Sequence, residues 1–296
     1  MASESLSTRS RAEVPSQAAA GTPLLVDCHA HVFTANCRLA DKRRYTPAYE
    51  APFEAYLDEL DRHGVTHGVI VQPSFLGDDN SYLHISLERA RGRLRGVAVV
   101  EPDVNDRELD RLKGSGVVGV RFNLLGEAWE KLTAPAWRDL VRRVEAFGWL
   151  IEVQVEGRDL PGVLDALEAS RCPLVIDHFG RPNPTLGVLD PGFQRLLAEA
   201  PGGRIWVKLS GPWRCGGVEA ARRYAEALAE RLGPERLLWG SDWPWTQHEG
   251  QSYGACLDGL ADWLDTEDAR RQVLAQTAPK LFRIPLPSPL KATSSS

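Results

Sequence analysis

The sequence predicts a closed (β/α)₈ barrel, and three observations point to it. Strand-like apolar runs alternate with segments of helical periodicity along most of the 296 residues, as in a parallel α/β fold. The alternation repeats eight times, the number that closes a barrel. Polar residues able to do chemistry stand at the C-terminal ends of the runs, where such barrels carry their sites. An open doubly wound sheet is the competing fold, but no Gly-rich loop of the GxGxxG or GxxxxGKS type is present.

In chain order, residues 1–22 are Ser/Ala-rich without period and read as a disordered leader, as do residues 285–296 at the other end. The barrel spans 23–284. Strand one is LLVDCHAHV, followed by a loop through residue 52 that is long for a βα connection and so a candidate functional loop. Phe53, Tyr56, Leu57 and Leu60 mark the first helix, which Gly64 stops. Strand two is HGVIVQPS, with Asn80 as a candidate cap for the helix carrying Leu83 and Leu87. Strand three is LRGVAVVEP, and Leu109 and Leu112 lead to strand four, VVGVRFN. Trp137, Leu140, Val141 and Val144 form the next apolar stripe before strand five, WLIEVQVE. Leu160, Val163, Leu164 and Leu167 precede strand six, PLVIDHFG, and Phe193, Leu196 and Leu197 precede strand seven, RIWVKLSG. Val218, Ala221, Ala225 and Leu228 lead to strand eight, LLWGSDWP, and a closing helix carries Val273, Leu274 and Leu281.

Composition narrows the function classes. With 43% hydrophobic and 25% charged residues the chain is an ordinary globular protein. A net charge of −5 gives no global attraction to nucleic acid or an anionic membrane. The five cysteines (Cys28, Cys37, Cys172, Cys215, Cys256) are scattered without a CxxC pair, which argues for a reducing compartment. No signal-like apolar core and no run near ~20 apolar residues is found. The expectation is a cytoplasmic protein acting on a small molecule, with no nucleic-acid or membrane partner. A helix-rich outer ring leaves room for a homodimer.

Side chains alternate along a strand. That places Asp27, His29 and His31 on one face of strand one, and Leu174, Ile176 and His178 on one face of strand six. It pairs Gln72 with Ser74, Arg121 with Asn123, Glu152 with Gln154, and Lys208 with Ser210. An inward Lys208 is expected to pair with Glu152. Asp242, in WGSDWPW, is the carboxylate that strand eight offers. His-x-His at a strand end reads as metal ligands or carbonyl polarisers, or as two unrelated loop histidines. Its coincidence with His178 and Asp242 at other strand ends favours function. Trp213, Trp243 and Trp245 are candidate pocket walls, and Arg38, Lys42, Arg43 and Arg44 make the long loop a candidate lid for an anion.

DCHAH, VQPSFLGDDNSYL, GVRFN, DHFGRP, KLSG and WGSDWPW, in this order, resemble the metal-dependent hydrolase-like branch of the amidohydrolase superfamily, over roughly residues 24–283. The most similar subgroup holds pyrone dicarboxylate lactonase and sugar-lactone hydrolases. The resemblance implies that Asp242 is the general base on water and that His29, His31 and His178 polarise a lactone carbonyl. It implies that Arg121 and Arg214 hold substrate carboxylates, with Ser74 and Tyr45 near the substrate; Asn123, on the same face as Arg121, is expected to bind substrate too.

Two departures qualify it. Metal-binding members place a histidine at strand five and often Lys or Glu at strand four; here Gln154, Arg121 and Asn123 stand there, and they are poor ligands. Metal-independent hydrolysis is therefore expected, with one zinc ion on His29, His31, His178 and Asp242 as the alternative. Glu127 stands where the pyrone dicarboxylate enzymes carry a basic residue, so a monocarboxylate or sugar-derived lactone is expected. The rivals are a zinc-dependent decarboxylase or amidohydrolase, and a barrel that only binds an acidic metabolite.

Overall fold

The computed structural model describes residues 24–199 and 203–285. The leader and, but for Pro285, the tail lie outside that range. Eight parallel strands run in sequential order: β1 (Val26–Ala30), β2 (His67–Val71), β3 (Leu94–Ala98), β4 (Val117–Asn123), β5 (Leu150–Gln154), β6 (Leu174–Ile176), β7 (Ile205–Leu209) and β8 (Leu237–Trp239). The WGSDW segment itself closes the barrel: Asp242 N donates to His29 O at 2.9 Å and His31 N to Trp243 O at 2.7 Å. Asp242 thus sits on the closing seam. A Cβ at position 240 would come within 2.6 Å of the His29 Cβ, so only glycine lets β8 approach β1 there.

The core has two layers. Inside the barrel pack Val26, Cys28, Val69, Val71, Val97, Val118, Leu150, Val175 and Leu238. Ala278, Phe282 and Ile284 from the C-terminal segment belong to the same cluster. Between strands and helices lies the larger layer, including Ile70, Ala98, Ile151, Ile176, Leu209 and Trp239. This two-layer arrangement is what a filled barrel requires.

Three expectations need correction. A register shift between Asp27 and Ala30 breaks the alternation of β1. Cys28 joins the interior cluster with Val26, while Asp27 faces Ser241 and Tyr253 instead of sharing a face with His29. In β6 the inward face is Val175 and Asp177, not Leu174, Ile176 and His178. His178 is brought round by a left-handed turn, with φ of 50° at His178 and 57° at Phe179. Asn80 makes no side-chain cap; it clasps the end of β3 through Val99 N and O. Gln72 donates to Gly77 O and Asp79 O, holding its own loop together. A helix at Tyr253–Trp263 adds to the expected set, capped by Ser252.

Candidate active site

His29, His31, His178 and Asp242 converge at the C-terminal mouth, all buried. The Nε2 atoms of His29 and His31 lie 3.3 Å apart, and the His29 and His178 rings have centroids 4.7 Å apart. Asp242 Oδ2 accepts from Arg214 Nε at 2.7 Å. Its Oδ1 is buried without a partner, 3.7 Å from His29 Nε2 and 3.9 Å from His31 Nε2. His178 Nδ1 meets Ser210 Oγ at 2.8 Å, leaving its Nε2 buried and unpartnered. Such orphaned atoms mark where an occupant would bond.

Beneath the histidines lies an ion network. Arg121 donates twice to Asp177 Oδ2, at 2.7 and 3.1 Å. Lys208 bonds Glu152, as expected, and its Nζ stands 3.0 Å from His29 Nδ1. Asp177, which alternation counted from Leu174 turned outward, is brought into this cluster, and Arg181 and Glu156 of the cavity wall were likewise not singled out in the sequence. Counting the alternation from Val175 rather than Leu174 would have found Asp177. Burial, then Lys208, pulls the His29 pKa to about 3; burial, then Arg121, does the same for His31. His178 is likewise driven well below its usual value by burial and by His29. All three imidazoles are neutral at pH 7. Burial beside Asp177 raises Glu152 to about 7. For Asp177, burial raises the pKa, but Lys208 and Arg121 outweigh it and hold the group well below the usual range.

Above the cluster opens a cavity of about 190 Å³. Arg121, Arg214, Ser74, Tyr45, His31 and His178 line it, together with Arg44, Arg181, Gln154 and Glu156. Asn123 is not in the wall; it accepts from Arg44 Nη2 at 3.4 Å. Glu156 faces Arg181 at 3.1 Å. Arg44 has no carboxylate partner among the described residues. Of the basic loop residues only Arg44 reaches the cavity. The loop is fixed at its base by the Phe33–Ala51 backbone pair, and Tyr45 Oη donates to Glu249 at 2.8 Å across the mouth. Glu127 lies outside the wall, exposed and 3.6 Å from Lys131. The tryptophans stand elsewhere: Trp243 stacks on Tyr56, and Trp213 lines a separate crevice of about 440 Å³ that holds none of the histidines.

A family model for amidohydrolases matches residues 26–284. The chain belongs to the amidohydrolase family. It is 31% identical over 269 residues to a 4-sulfomuconolactone hydrolase of Hydrogenophaga intermedia, covering 86% of this chain and 88% of that one. A solved structure from Pseudomonas putida, named provisionally as a 2-pyrone-4,6-dicarboxylic acid hydrolase, is 42% identical with a TM-score of 0.84, covering 89% and 99%. An Acinetobacter baumannii structure of the same provisional name, with citric acid bound, is 35% identical with a TM-score of 0.84, covering 88% and 99%. Family and fold together support a hydrolase-like enzyme.

Two buried groups could hold a divalent ion: His29, His31 and Asp242, and His29, Asp177 and His178. The first fits better. Two imidazole nitrogens bound tetrahedrally at about 2.0–2.1 Å would stand roughly 3.3 Å apart, which is the His29–His31 spacing. Asp242 Oδ1 is a carboxylate oxygen with no other partner. The second group shares Asp177 with Arg121 and Lys208, cations that oppose another.

Proposed function

We propose that the protein hydrolyses an anionic lactone, with Asp242 as the base that activates water. The observation that carries this reading is the state of Asp242. One oxygen is pinned by Arg214 and the other is bare, beside neutral imidazoles and below an arginine-lined cavity. Water held by Oδ1 attacks the lactone carbonyl carbon, and Asp242 takes its proton. His178 Nε2, carrying the ring proton when Ser210 donates to Nδ1, faces the developing oxyanion. The ring C–O bond then breaks, and the leaving oxygen recovers the proton from Asp242.

The substrate class follows from the wall. Four arginines, Arg44, Arg121, Arg181 and Arg214, face one lining carboxylate, Glu156. Arg44, the one without a carboxylate, is the group that receives a substrate anion. The one uncommitted arginine favours a lactone carrying an acidic group over a neutral sugar lactone, and the dicarboxylic acid in the names of the Pseudomonas and Acinetobacter proteins favours a second acidic group. The sulfonated lactone of the Hydrogenophaga enzyme's name and the citric acid in the Acinetobacter structure support this.

Metal-independent hydrolysis is the favoured route. Lys208, Arg121 and Arg214 already match or outnumber the charge of Glu152, Asp177 and Asp242, so a divalent ion would leave the cluster positive. If a metal is held, His29, His31 and Asp242 hold it, and it would polarise the carbonyl or acidify water.

Proton release from a panel of mono- and dianionic lactones and sugar lactones, with chelator-stripped protein, tests the reading. Dianionic lactones should turn over, and Asp242→Asn should lower kcat by roughly 10²–10⁴-fold with the fold intact. Wild-type rates in that variant would refute the base assignment.

A further inference from the structure

The hydrogen-bond chain through the two mouth histidines has a fixed direction, set at both ends by groups outside the pair. His31 Nδ1 lies 2.8 Å from Val71 O. A carbonyl only accepts, so Nδ1 carries the proton and Nε2 of the neutral ring is a bare lone pair. At the other end Lys208 Nζ lies 3.0 Å from His29 Nδ1. An ammonium held between Glu152 and Asp177 only donates, so His29 Nδ1 accepts and the ring proton sits on Nε2. That proton is what the His29–His31 contact of 3.3 Å requires, because two facing lone pairs would repel. Asp177 Oδ1 lies 3.3 Å from both His29 Nδ1 and Lys208 Nζ, so the one ammonium serves the ring nitrogen and the carboxylate together.

We propose that Lys208 is a positioning residue that locks His29 in its Nε2–H form and so sets the metal preference of the site. With His29 so held, the pair offers a cation one lone pair, from His31, and a proton from His29. Metal binding needs the other arrangement, in which His29 Nδ1–H donates to Asp177 and both Nε2 atoms present lone pairs. Lys208 occupies Nδ1 and blocks it. The inference concerns the pair and its support alone. It does not depend on the lactone reading, since its test needs no substrate.

The test uses the full chain. Lys208→Met is paired with Glu152→Gln, so that removing the ammonium leaves no lone carboxylate at Glu152, and Asp177 remains to accept from His29. Histidine ¹⁵N NMR of the wild type should show His29 as Nε2–H; the double variant should show Nδ1–H. Calorimetric titration with zinc should give roughly 10–100-fold tighter binding in the double variant, the size of effect that outer-shell partners have on metal affinity. Lys208→Arg, which keeps a donor-only cation, should behave as wild type. A wild-type His29 found as Nδ1–H overturns the proposal, and so does equal zinc affinity in wild type and a folded double variant. If circular dichroism shows the double variant unfolded, the wild-type NMR assignment alone decides.

Discussion

At the scale of single residues, the site is governed by which polar atoms are occupied and which are left bare. Arg214, expected to hold a substrate carboxylate, lines the cavity and also donates its Nε to Asp242, so it orients the carboxylate proposed as base. Arg44, from the basic loop read as a candidate lid for an anion, has its charge available to one. Arg44→Ala should therefore raise KM for a dianionic lactone more than it lowers kcat, as steady-state kinetics would show. Glu127→Ala should leave kcat/KM within about twofold, because its exposed pairing with Lys131 carries little energy. Protonation follows the same logic. His29 and His31 titrate near 6.5 when unfolded and near 3 when folded. Below about 6.5 the unfolded chain takes up protons that the folded protein refuses. Their contribution to stability is complete above about 6.5 and is lost as pH falls toward 3. His178 and Asp177, also lowered, act in the same sense, while Glu152 and Asp27, both raised, act against it. Denaturant midpoints should fall steadily from pH 7 to pH 4.

Among the elements, the contact between β1 and the end of β8 matters most. Asp27 accepts from Ser241 N at 2.9 Å, Ser241 Oγ at 2.6 Å, Tyr253 Oη at 3.0 Å and His29 N at 3.1 Å. One buried carboxylate thus ties the strand bearing His29 to the segment bearing Asp242. Asp27→Ala leaves those donors unpaired, at a cost on the order of 3 kcal/mol or more. It should lower the thermal midpoint and kcat together, whereas a change at the base alone should lower only kcat. The β1 irregularity explains why simple alternation misassigned Asp27. An inserted residue flips every later side chain, and no residue in VDCHAH announces where the insertion falls.

For the whole molecule, the barrel is a filled cylinder with its chemistry at one end. Phe282 is fully buried in the interior cluster, although it belongs to the last described helical turn. Phe282→Ala should cost about 3–5 kcal/mol. Because Phe282 packs with the barrel-lining valines and not with the mouth residues, KM should hardly move. Denaturation curves and kinetics on the same preparation would check both.

The eight strands, their order and the identity of His29, His31, His178 and Asp242 were legible in the sequence. Periodicity and turn residues are local signals, and polar groups ending apolar runs stand out against them. The Lys208–Glu152 pair was legible too, since both fall at inward positions of uninterrupted strands. The face taken by Asp27, the inward turn of His178, and the commitment of Arg214 to Asp242 were decided only by the tertiary structure. Each depends on a bulge, a left-handed turn or a partner 28 or more residues away. Local pattern names the residues able to do chemistry; which of their atoms remain free is settled when distant strands close the barrel.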